Sequence, residues 1–194
     1  MTASGPMAMP PPADAGRAVL ELHLAEMRQI FNSLDPAPFG ERDLDPRAAD
    51  YIVDWAEETP KDQPLALRVS LSREPPAPGD EALLGAAVRE FFKGRAAAKR
   101  RELAQLFRVG RVSLVIGLAF LAAAISLADA LAGLVSSEGW AGLAKESLII
   151  GGWVALWRPM EIFLYDWWPI RARARLYDRL GAMPVRLIGS EATA

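Results

Sequence analysis

VSLVIGLAFLAAAISLA, residues 112–128, runs 17 residues without a charge. Asp129 interrupts it, and ALAGLVSS continues uncharged to Ser137. A helix rises about 1.5 Å per residue, and about 20 apolar residues cross a hydrocarbon core of about 30 Å. The stretch is therefore long enough for a membrane span, set here at 112–135. The competing reading is a buried helix of a soluble core, but such a helix seldom lacks a polar face over this length.

On the carboxy-terminal side, SLIIGGWVALW at 147–157 is followed by Arg158, then by IFLY at 162–165 and Asp166. Taken over 143–165 this makes a second span, with Lys145 and Glu146 at the outer interface. Arg158 and Glu161 are three apart, share a helix face and can pair. Pro159 removes a backbone donor and kinks the helix. A re-entrant or interfacial segment competes with a full crossing.

Charge sets the sidedness. The formal net charge of -2 hides blocks of opposite sign: residues 1–80 carry 7 basic and 14 acidic side chains, residues 81–111 carry 8 and 3, and residues 171–194 carry 5 and 2. Basic residues flank the apolar half on both sides. Lys93, Arg95, Lys99, Arg100, Arg101, Arg108 and Arg111 precede the first span, and Arg171, Arg173 and Arg175 follow the second. Basic flanks stay cytoplasmic, so both termini are expected inside, with Trp140, Trp167 and Trp168 at the interfaces. A basic block beside a hydrophobic span points to anionic lipid headgroups rather than nucleic acid.

The flanking segments read as a small cytoplasmic α/β region over 17–74 and 183–190. Residues 1–16 lack the basic start and apolar run of a cleavable signal and read as a Pro-rich disordered tail. Val19, Leu20, Leu22, Leu24, Met27, Ile30 and Phe31 give 17–33 a helical pattern. Asp45–Pro46 opens a helix to Glu58 with Ala49, Ile52, Val53 and Ala56 on one side. LALRVSL at 65–71 alternates as a strand. A lone strand leaves its backbone unpaired, so 185–188 is expected to return and form a two-stranded sheet with it. Asp80 caps a long basic helix over 79–111, with Gly94 and Gly110 as flex points. Residues 169–181 form a basic amphipathic helix whose Ile170, Leu176, Tyr177 and Leu180 meet either the membrane surface or the domain. The fold class is mostly α: a two-helix transmembrane hairpin with a small α/β domain.

FNSLDPAPF at 31–39, ERDLD at 41–45 and WRPMEIFLYDWWPIR at 157–171 resemble motifs of an uncharacterised family of bacterial two-span inner-membrane proteins. The resemblance covers most of residues 20–188. It implies the inner membrane and the two-span topology, and no activity.

Composition excludes much chemistry. Cysteine is absent and His23 is the single histidine, which removes disulfides, thiolate metal sites, cysteine nucleophiles and poly-histidine sites. Phosphate-loop, dinucleotide, nucleophile-elbow and zinc-protease motifs are absent. No catalytic residue, metal or cofactor is expected. The sharpest candidate is the intramembrane pair Arg158 and Glu161, with Asp166 and Tyr165 nearby and Asp129 at the far end of the first span. It reads either as part of an ion path or subunit contact, or as a structural pair with Arg158 snorkelling. Asp129 reads as interfacial, with Lys145 as a partner across the turn. Ala119–Ala123, Ala124–Ala128 and Ala128–Ala132, with Gly151 and Gly152, permit close helix packing within one hairpin or in a homo-oligomer. The acidic residues Glu41, Asp43, Asp45, Asp50, Asp54, Glu57 and Glu58 match no calcium loop and read as caps and solvated faces. Two roles follow: a non-enzymatic anchor acting by assembly or interaction, or a subunit of an oligomeric transporter or channel using Arg158 and Glu161.

Overall fold

Leu65, Leu67, Val69 and Leu71 alternate along the chain, and all four are at most 3% exposed in the computed structural model. They form β2 (Leu65–Leu71), the central strand of a parallel sheet. The structure describes residues 16–32, 43–73, 75–134 and 138–189, without the side chains of 131–134, 138–141, 144 and 145. The tail expected over 1–16 lies outside these residues except for Gly16, as do 33–42 of the first two motifs and Glu41 of the acidic group.

The chain is mostly helical. It divides into two units, one built from residues up to Ala96 and from Arg175 onward, the other from Ala97–Ala174. In the first unit β2 pairs with β3 (Val185–Gly189), Leu67 opposite Val185 and Val69 opposite Leu187. The carboxy-terminal strand therefore returns to β2, as the lone-strand argument requires.

The sheet has a third strand that the sequence reading missed. Ala18–Leu24, expected to be helical, is β1, parallel to β2 with Leu20 opposite Leu67. The helical turn that follows is only the short 3-10 segment Met27–Ile30. AVLELHL fits both periods: Ala18, Leu20, Leu22 and Leu24 meet the core, while Glu21 and His23 stay exposed. For so short a run periodicity does not decide. The unpaired edge of β2 does, because a buried central strand needs ladder partners on both sides.

Helices build the rest of this core. In α1 (Pro46–Glu58), Asp45 Oδ1 accepts from the Arg47 N–H at 2.9 Å, and Ala49, Ile52, Val53 and Ala56 are buried. Gly79, at φ +103°, turns the chain into α2 (Asp80–Leu134), whose Leu84, Val88, Phe92 and Ala96 are buried at nearly every fourth residue. The end of α4 (Trp167–Ala182) contributes Leu176, Tyr177 and Leu180, with Tyr177 stacked on Phe92 at 6.2 Å. These three lie in the domain core, whereas Ile170, read with them from the sequence, is half-buried and belongs to the second unit. Arg179 donates to the carbonyls of Pro60 and Gln63, each at 2.9 Å. The outer edge of β3 is sealed where the Leu187 N–H donates to Glu81 Oε2 at 3.1 Å.

The second unit holds two helices long and apolar enough to cross a membrane. α2 continues through it unbroken, so Gly94 and Gly110 interrupt nothing. α3 (Glu138–Glu161) passes through a π-helical turn, Ile162–Asp166, into α4. α2 and α3 pack antiparallel. A Cβ at Gly152 would overlap Leu121, one at Gly117 would lie 3.0 Å from the Ala155 carbonyl oxygen, and one at Gly110 would lie 2.8 Å from Ile162 Cγ2. Gly110, Gly117, Ala124 and Ala128 form the buried seam on α2, spaced as in left-handed helix pairs. The opposite faces are bare: Val115, Ile116, Ile150, Trp153 and Val154 are each more than half exposed.

Candidate functional site: an arginine between two carboxylates at a helix break

Pro159 lies inside α3 and is buried. It has no N–H for the carbonyl of Ala155, one turn back. That carbonyl faces Gly117 instead, where the missing side chain lets the helices approach. Three residues past the proline the helix widens into the π turn. π turns recur within helices where the ladder is disturbed. Here the indole N–H of Trp167 donates to the Phe163 carbonyl at 3.0 Å.

This local structure assembles the charged cluster. Arg158 and Glu161 meet as the sequence spacing predicts, with Nη1 3.1 Å from Oε2. The same Nη1 is 3.1 Å from Asp166 Oδ2. On a regular helix residues eight apart point about 80° away from each other. The extra residue in the π turn sets the rotation back by about 100°, to about 20° on the other side, and brings Asp166 under Arg158. The Trp157 indole N–H completes the group, donating to Glu161 Oε1 at 2.9 Å.

Both carboxylates lie on the carboxy-terminal side of Arg158, so its side chain runs away from the uncharged stretch of α3. This is the direction a snorkelling arginine takes. The side chains of Arg158, Glu161 and Asp166 are 60%, 41% and 34% exposed. In water such pairs contribute about 0–1 kcal/mol. At a hydrocarbon boundary their mutual neutralisation matters more, because an unpaired charge there is costly.

The other candidates fall elsewhere. Tyr165, 70% exposed, takes no part in the hydrogen bonds of the cluster. Asp129 is exposed beside buried Ala128, near the other end of α2. Lys145, its expected partner, and Trp140, expected at an interface, lie outside the described side chains. Of the expected small pairs, Ala124–Ala128 is buried while Ala119 and Ala123 are exposed. Gly152 is in the seam and Gly151 has nothing within 4 Å of an added Cβ. Among the described residues no three His, Asp or Glu side chains gather as metal ligands.

The basic residues separate into two sets. The Lys93 stem packs beside Gly181, Arg95 covers the Phe91 ring at 4.8 Å, and Lys99 pairs with Glu102 at 2.7 Å. Arg100 and Arg173 also have partners. Arg101, Arg108, Arg111 and Arg175 are exposed, and Arg171 lies 5.6 Å over the Trp167 ring.

The sequence reading missed Gly117, Trp157 and the mechanism that recruits Asp166. The first had a signal, since Gly110, Gly117 and Ala124 recur every seven residues. No family model, no curated protein and no solved structure matches the chain.

Proposed function

We propose that the chain is an integral protein of the bacterial inner membrane. An antiparallel helix pair anchors a small cytoplasmic α/β domain, and the protein acts non-enzymatically, by assembly or interaction. One observation carries this reading. In each candidate span only 17% of the most apolar window is buried by the chain itself, whereas a core helix of a soluble protein is covered on most sides. The bare surface is apolar, and hydrocarbon is the solvent that suits it. The pairing of β2 with β3 supports the topology: the two strands share one sheet, so the segment between them crosses a bilayer an even number of times.

The test uses the absence of cysteine. Single cysteines at Ser72 and Gly142 are to be labelled in intact cells with a membrane-impermeant maleimide. Labelling at 142 and protection at 72 are expected. The reverse pattern, or a protein that stays monodisperse without surfactant, overturns the reading.

The channel-subunit reading keeps one support, the charged cluster bare to neighbours. Against it, Arg158 is already satisfied by two carboxylates that draw it toward the boundary. Ion flux in liposomes that Glu161→Gln alters would favour the channel. Flux at the level of empty vesicles is expected.

A further inference from the structure

The helix pairing fixes which charges share a level. Phe107 stacks on Phe163 at 6.1 Å, and Gly110 meets Ile162. Arg108 and Arg111 therefore lie within a turn of the π segment. The carboxylates there, Glu161 and Asp166, are both taken by Arg158. Among the described residues Arg108 and Arg111 have no anionic partner. One turn further on, Trp167 and Trp168 pack edge to face at 5.6 Å, and Arg171 reaches back over Trp167. Arg108 and Arg111 and, one to two turns along the helix pair, Arg171 against the Trp167 ring are three guanidinium groups without carboxylates near the end of the uncharged stretch.

We infer that Arg108, Arg111 and Arg171 bind the phosphate of anionic phospholipid at the cytoplasmic face, with Trp167 and Trp168 seated among the headgroups. This rests on the membrane reading above. Guanidinium forks suit phosphate oxygens, and indoles settle at the headgroup level. The internal arginine–carboxylate cluster gives the surface its sign: Arg158 removes the local carboxylates as competitors, so the remaining arginines are left for lipid. Lys93, Arg95 and Lys99, basic by sequence, are engaged within the protein and fall outside this surface.

The experiment places the full chain in nanodiscs of phosphatidylcholine with a minority of phosphatidylglycerol. Lipid retained after detergent extraction is then counted by mass spectrometry. Wild type is expected to retain phosphatidylglycerol well above its bulk share, with enrichment falling about fivefold per arginine replaced by glutamine at 108, 111 or 171. Arg47→Gln, on α1 of the α/β domain, is expected to leave it unchanged. Retention at bulk ratio by wild type, or equal enrichment in the triple variant, overturns the inference. So does displacement of the lipid by inorganic phosphate at constant ionic strength, which would mark a site for free anions. Failure to enter nanodiscs at all would sink the membrane reading itself; insertion with bulk lipid ratios would sink only the headgroup site.

Discussion

Arg158 shows how much one side chain depends on its neighbours. Its two ion pairs share a single nitrogen, so removing Arg158 leaves two carboxylates facing each other, while removing one carboxylate leaves the other pair intact. Arg158→Gln is expected to lower stability in lipid by about 1–3 kcal/mol, and Asp166→Asn by less. A cycle of Arg158→Gln with Glu161→Gln should show coupling, the double variant being less destabilised than the sum. Thermal unfolding in nanodiscs checks all of these. In the domain, Arg179 holds two carbonyls of the turn after α1. Arg179→Gln is expected to cost about 1.5–3 kcal/mol and to speed amide exchange around residues 60–64. Unchanged exchange there would remove its assigned role.

Adjacent glycines separate packing from propensity at the scale of the helix. Gly152 packs on Leu121, whose Cα would lie 3.3 Å from an added Cβ, while the space over Gly151 is open. Gly152→Ala is expected to destabilise the helix pair by about 1–3 kcal/mol through overpacking. Gly151→Ala is expected to stabilise it by up to about 1 kcal/mol through helix propensity. Opposite signs at neighbouring positions, read by unfolding in detergent, would be hard to obtain if the helices did not meet on this face. Elements with strong local punctuation were legible in the sequence. Asp45–Pro46 marked α1, and the strict alternation of 65–71 marked β2. β1 was not legible, because the seven residues AVLELHL satisfy two periods and only the unpaired backbone of β2 chooses between them. The role of Asp166 was hidden for another reason. It depends on the π turn at Ile162–Asp166, which no side-chain pattern in the sequence marks.

The fate of the whole molecule depends on its bare apolar surface. Val115 and Phe120 are 66% and 52% exposed within the stretch that decided the fold. Arginine at Phe120, near the span centre, is expected to cost about 2.5–3.5 kcal/mol of insertion free energy, and less at Val115, one turn inside the boundary, where the side chain can snorkel. Extraction with alkaline carbonate should then move the variant out of the membrane pellet, whereas Ser72→Arg, at the edge of the domain, should leave it there. Wild-type partitioning by the Phe120→Arg variant would mean that hydrocarbon is not what covers this face.

β2 is made early in synthesis, and its second neighbour, β3, emerges only after both long helices have been translated. Until then Leu67, Val69 and Leu71 lack the ladder partners that Pro184 and β3 supply. On the proposed two-span topology, a chain whose second helix lodged the wrong way would strand Val185–Gly189 across the bilayer and leave the sheet unfinished. Completion of the domain would then report correct insertion, and a misrouted copy would display an open strand edge.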